Sequence, residues 1–127
     1  MLFVITMKTI EELYREIESV ADFSDIKISD PNTIGLFSTR PLHVVAVWGD
    51  CEGIQMLVDA GANINARGEH GFTPLMEAVA QGHRKAIELL VKLGAKPVPN
   101  DEGQLPSEYA MLSNNNEIAD YLKQNGL

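Results

Sequence analysis

Thr73-Pro74-Leu75-Met76 decides the fold once it is laid over Arg40-Pro41-Leu42-His43, 33 residues upstream. The same stride of 33 separates Gly49 from Gly82, and Gly61-Ala62 from Gly94-Ala95. Leu105-Pro106 follows Thr73-Pro74 by 32 residues and marks a third, degenerate copy. Several elements recurring at one offset define an internal repeat, and a period in this range belongs to units that stack.

Working outward, each copy reads as two short helices and a loop. Pro41 and Pro74 stand at helix starts, where a missing amide hydrogen costs nothing. The Thr73 hydroxyl oxygen suits the cap of the helix that follows. Gly49 and Gly82 end the first helix after about two turns, because glycine enters the left-handed region without a steric cost. The second helix carries Ile54, Leu57 and Val58 in one copy and Ile87, Leu90 and Val91 in the next. That is the i, i+3, i+4 spacing of a helix with one apolar face. Gly61 and Gly94 close it.

Thr73-Pro74-Leu75, Gly82-His83, Leu89-Leu90 and Gly94-Ala95, with Gly61-Ala62-Asn63-Ile64-Asn65-Ala66 between, resemble the ankyrin repeat. The resemblance covers about residues 35–127 in two good copies and one eroded one. It implies an all-α solenoid of stacked helix-turn-helix units with short β-turn fingers. Residues 1–127 are then a single ankyrin-repeat domain: a cap helix and connection over 7–34, repeats over 35–67 and 68–100, and a degenerate capping repeat over 101–127. Departures stand out. Arg40 replaces the usual threonine and Met76 the usual histidine, which predicts looser bonding between repeats. Ser107 replaces leucine and Asn114 replaces glycine in the third copy, whose turn is one residue shorter.

Stacked arrays close with caps that are polar on one side. Thr9 and Glu12 form a capping-box pattern. Ile10, Leu13, Tyr14, Ile17, Val20 and Ala21 form one stripe behind it, with Glu11, Glu12, Arg15, Glu16 and Glu18 facing water. At the other end Ile118, Ala119 and Leu122 are candidates for burial. Residues 22–39 read as a longer connection than an ordinary finger, with a turn at Asp30-Pro31-Asn32-Thr33. Pro97-Val98-Pro99 stiffens the loop that corresponds to Asn63-Ile64-Asn65.

The net charge of −8 is spread unevenly, with seven acids against three bases in residues 1–30 and five against one in 101–127. Residues 67–100 hold five bases against three acids. A phosphate backbone would be repelled, which excludes nucleic acid as a favoured ligand, whereas a basic protein would be attracted. Cys51 is the single cysteine, so no intrachain disulfide forms, and no Cys/His spacing suits a structural zinc. A reducing, cytoplasmic setting fits. Met1-Leu2-Phe3-Val4-Ile5 is too short for a signal-peptide core or a membrane span, and Met7 is a second candidate start.

No nucleophile with base and orienter, phosphate loop or metal triad is present, so a catalytic, cofactor-binding or metal role has no residues to stand on. Cys51 stands between Asp50 and Glu52, an acidic setting that does not suit a nucleophilic cysteine. His43 matches the family's structural histidine, and His83 a similar role. Trp48, just before Gly49, falls where the family pattern points to the concave groove, and aromatic anchors dominate interfaces. The alternative is that it packs under residues 22–39. Val47 lies beside it. Phe72 and Gln81 take comparable positions in the second copy, Arg67, Glu69 and His70 line its finger, and Thr39 continues the surface. Leu36 and Phe37 are either part of that surface or core. The leading function is a non-catalytic module, monomeric when free, that binds another protein through groove and finger tips. Alternatives are an inhibitor or immunity protein against a basic toxin such as a nuclease, and a structural subunit of a larger assembly.

Overall fold

A computed structural model describes residues 7–127 of the 127-residue chain. The readings made above on residues 1–6, namely the short apolar stretch and the choice of start, lie outside the described residues. Among those described, seven α-helices and no strand are found. They are α1 (Ile10–Glu18), α2 (Pro41–Trp48), α3 (Cys51–Asp59), α4 (Pro74–Gln81), α5 (Arg84–Lys92), α6 (Pro106–Leu112) and α7 (Asn116–Gln124). None is long and apolar enough to cross a membrane.

Helices α2, α4 and α6 form an inner row in which α4 packs against both neighbours, and α3, α5 and α7 back them. The helices start and stop for local reasons. Prolines Pro41, Pro74 and Pro106 each occupy the first turn. The Thr73 hydroxyl accepts the Met76 amide hydrogen at 3.3 Å, whereas Arg40 supplies no side-chain cap. Gly49, Gly82 and Asn114 end the inner helices at φ 68°, 71° and 60°. Asn114 stands in for glycine because a short polar side chain tolerates this region. Ile54, Leu57, Ile87 and Leu90 are fully buried between the rows, each contributing about 1.5–3 kcal/mol of burial.

Before each inner helix the chain makes the same tight finger. The Gly35 amide bonds the Thr39 carbonyl at 2.7 Å, Gly68 bonds Phe72 at 2.7 Å and Asn100 bonds Gln104 at 3.0 Å. The connection between α1 and α2 is longer than those before α4 and α6; it opens with a short 3-10 turn (Ala21–Phe23) and closes with a finger like the others. Asn32 behaves as Asn65 does 33 residues later: its carboxamide oxygen accepts the Asn63 amide, and that of Asn65 accepts Lys96.

Two features of the first helix differ from expectation. Glu18 is half-buried and not simply solvated; its carboxylate accepts the Ile28 amide at 2.9 Å and ties the connection down. Ala21 leaves the apolar stripe and is exposed, because α1 stops at Glu18 and the chain turns. Leu13 and Ile17 are fully buried. Leu36 and Phe37 are not core: Phe37 is 64% exposed, at the finger tip and in the left-handed region at φ 57°.

Candidate functional site

Inner helices and fingers meet on one side of the array. Val44, Glu77 and Tyr109 each lie three residues after the proline that opens α2, α4 and α6, and so form one column. The exposed residues Val47, Trp48, Ala80, Gln81, Met111 and Leu112 lie at the ends of the same helices. Two hollows result.

The first, about 260 Å³, lies between the first two fingers. Trp48, Val47 and Val44 of α2 form one wall, the turn at Val20-Ala21-Asp22 another, and Glu69 and Glu77 the side toward the next repeat. Thr39 is buried at its edge and its hydroxyl donates to Asp22 Oδ2 at 2.9 Å. Burial, reinforced by the negative charges of Glu69 and Asp22 and offset in part by His70, pushes the Glu77 carboxyl up to about 7. The second hollow, about 430 Å³, lies between the second and third fingers and holds His70, Phe72, Gln104, Tyr109 and Leu112. Phe72 meets Tyr109 edge to face at 5.1 Å and His70 at 6.5 Å.

The candidate residues divide accordingly. Thr39, Val47, Trp48 and Glu69 come together in the first hollow, and His70 and Phe72 in the second. Trp48 is 41% exposed and lines the first hollow together with Val20, Ala21 and Asp22. Arg67 turns to the next finger, where its guanidinium pairs with Asp101 at 2.7 Å. Gln81 is exposed at the end of α4 and lines neither hollow. Asp22, Val44, Glu77, Tyr109 and Leu112 were missed. Carrying one column of the repeat from Pro41 to Pro74 to Pro106 finds Val44, Glu77 and Tyr109; nothing in the sequence places Asp22.

His43 crosses between repeats. Its Nδ1 accepts the Arg40 amide at 3.0 Å, so the Nε2 proton is shared between the Ala66 and Phe72 carbonyls at 2.9 and 3.0 Å. Burial holds the ring pKa below its ordinary value. His83 answers from the other side, its Nε2 lying 2.9 Å from the Val47 carbonyl oxygen. Among the described residues no cluster of three or more His, Cys, Asp and Glu side chains is placed to hold a metal ion.

Stacked helix pairs that present fingers and an open groove define a helical-repeat protein built to offer an extended surface. A family model described as ankyrin repeats in three copies matches residues 8–101 and 42–127. The chain belongs to the ankyrin-repeat family, whose repeats generally mediate protein–protein interaction. It is similar to protein phosphatase 1 regulatory subunit 27 of Mus musculus and of Homo sapiens, with 34% identity in each over 94 residues, 73% of this chain and 61% of the relative. It is also similar to Rabankyrin-5 of Homo sapiens, with 38% identity over 85 residues, 63% of this chain and 7% of the relative. The chain thus spans about six-tenths of the length of the phosphatase subunits.

Proposed function

We propose that this chain is a non-catalytic binding module that takes a segment of a partner protein into its groove, with Trp48 and Val47 as the anchor and the finger tips at Glu69 and His70 as the flank. The observation that carries the reading is the half-exposed Trp48 at the mouth of a hollow. A tryptophan left in water at that place is a ready hot spot, since burying it on binding gains both area and a polar handle. A regulatory role toward an enzyme agrees with what the phosphatase subunits are called. Inhibition of a basic toxin is a narrower form of the same reading, favoured by the net charge of −8 and separable from it by whether the captured partner is a toxin.

The test compares capture by the natural chain, by Trp48→Ala with Val47→Ser, and by Lys85→Ala with Lys92→Ala on the exposed side of α5. Circular dichroism checks that each variant is folded. The groove variant loses its specific partner, and the α5 variant keeps it. The opposite pattern overturns the assignment.

A further inference from the structure

The polar lining of the first hollow is one-sided in charge. Asp22, Glu69 and Glu77 line it, with no lysine or arginine among its residues. Each carboxylate has a different degree of satisfaction. Asp22 holds the Thr39 hydroxyl, and Glu69 lies 3.6 Å from His70 Nε2. Glu77 is more than half buried, and no hydrogen bond from a described residue offsets its burial. A carboxyl group partly withdrawn from water without a partner cation is in a less favourable state, which a cationic ligand is able to relieve. Trp48 lines the same hollow, and the face of an indole attracts cations.

Resting on the groove reading, we propose that this hollow receives one basic side chain of an extended partner segment, its cation held between the Trp48 indole and the carboxylates of Glu69 and Glu77, with its aliphatic stem along Val44 and Val47. The chemistry excludes the other occupants. An apolar side chain would leave Glu77 further desolvated, and an acidic one would be repelled by all three carboxylates. A long cationic side chain meets both requirements, because its stem is apolar and its head charged. Arginine suits the site better than lysine, since its plane stacks on an indole while its fork reaches two carboxylates.

The second hollow extends the motif. Phe72, Tyr109 and Leu112 line it beside the polar His70, Asn100, Glu102, Gln104 and Ser113, and the three apolar side chains suit a large apolar side chain of the same segment. The hollows lie one repeat apart, between fingers one and two and fingers two and three. Neighbouring packed helices are spaced by about 8–10 Å, which an extended chain covers in about three residues. The preferred segment therefore has a basic and a large apolar residue about three positions apart.

Trp48 is the only tryptophan, so its emission reports occupancy directly. Labelled synthetic peptides on a Ser/Thr/Gly background, with Arg and Leu three positions apart in either order, are titrated against the whole chain. The Arg/Leu peptide shifts Trp48 emission; replacing its Arg by Gln weakens binding about tenfold, and so does Glu77→Gln with Glu69→Gln in the protein. Lys85→Ala with Lys92→Ala leaves binding unchanged. Equal binding of Arg and Gln peptides, an unmoved Trp48 emission at saturation, or no binding up to about 1 mM peptide overturns the proposal. If the basic residue proves irrelevant while Trp48→Ala with Val47→Ser still abolishes capture of the natural partner, the cation pocket falls and the groove reading stands.

Discussion

Glu77 shows how a single side chain couples the groove to pH. Its carboxyl titrates at about 7 in the folded chain against an ordinary value of 4.5. Between those values the folded state keeps a proton that the unfolded state has released, so this group's contribution declines as pH rises through the window and is fully lost above it. Glu77→Gln should remove the decline and stabilise the chain above neutrality by on the order of 1 kcal/mol, after allowance for partial solvent exposure. Urea unfolding of both proteins at about pH 5 and about pH 8 checks it, and an equal difference at the two pH values would refute the assignment. His43 acts in the opposite direction. Its pKa is held low, so stability contributed by the neutral ring is lost as pH falls below the ordinary histidine value of 6.5. His43→Ala leaves the Arg40 amide and the Ala66 and Phe72 carbonyls without their shared partner, a loss of about 2–4 kcal/mol by chemical denaturation. Trp48 was legible in the sequence because its place is fixed by the neighbouring Gly49. The position of Glu77 follows from the repeat column, but its partial burial does not, because an acid on a helix ordinarily faces water and the residues that share its hollow, Glu69 and Asp22 among them, come from a finger and a turn distant in sequence.

The two helix-ending glycines, equivalent in sequence, are unequal in space. Gly49 and Gly82 both sit near φ 70°, where a residue such as alanine is strained by about 1–2 kcal/mol. A Cβ at Gly49 would also lie 2.6 Å from the His83 ring, whereas at Gly82 its nearest neighbour would be the Asn115 carboxamide at 4.0 Å. Gly82→Ala is expected to cost about 1 kcal/mol and Gly49→Ala at least twice that, because the ring that bonds the Val47 carbonyl has to move. Equilibrium unfolding of the pair is the measurement, and equal losses would show that the His83 ring gives way freely. Helix boundaries were readable to within a residue or two from proline, glycine and threonine, whose effects are local. The finger at Gly35–Thr39 was hidden because its tip is Leu36-Phe37-Ser38 instead of the Glu69-His70-Gly71 of the next copy. Phe37 and Ser38 hold positive φ without being glycine, and such turns carry no compositional signal.

Across the array, stability is a sum of units and the contacts between neighbours, and those contacts are uneven. Between α2 and α4 two histidine rings cross, His43 forward and His83 back. Between α4 and α6 Met76 takes the place of a crossing histidine, and the polar ties are the exposed Arg67–Asp101 pair, the Asp101 amide on the His70 carbonyl at 3.0 Å, and Arg84 over the Tyr121 ring at 4.5 Å. Exposed pairs of this kind contribute little. Amide hydrogen exchange should accordingly be faster in α6 and α7 than in α3 and α4, and uniform protection would contradict the inequality. The acidic field adds a second expectation. Association with a basic partner should slow as salt is raised from about 0.05 to about 0.5 M, with dissociation nearly unchanged.

The paired histidine crossings have a further consequence for how a guest is accommodated. They lock the spacing of α2 and α4, so the hollow beside Trp48 behaves as a stiff jaw of fixed gauge. Beyond α4 no histidine crosses, so the last unit is expected to give more readily, and the hollow at Phe72 and Tyr109 with it. On the proposed groove reading, one end should then set what is admitted and the compliant end adjust to whatever follows.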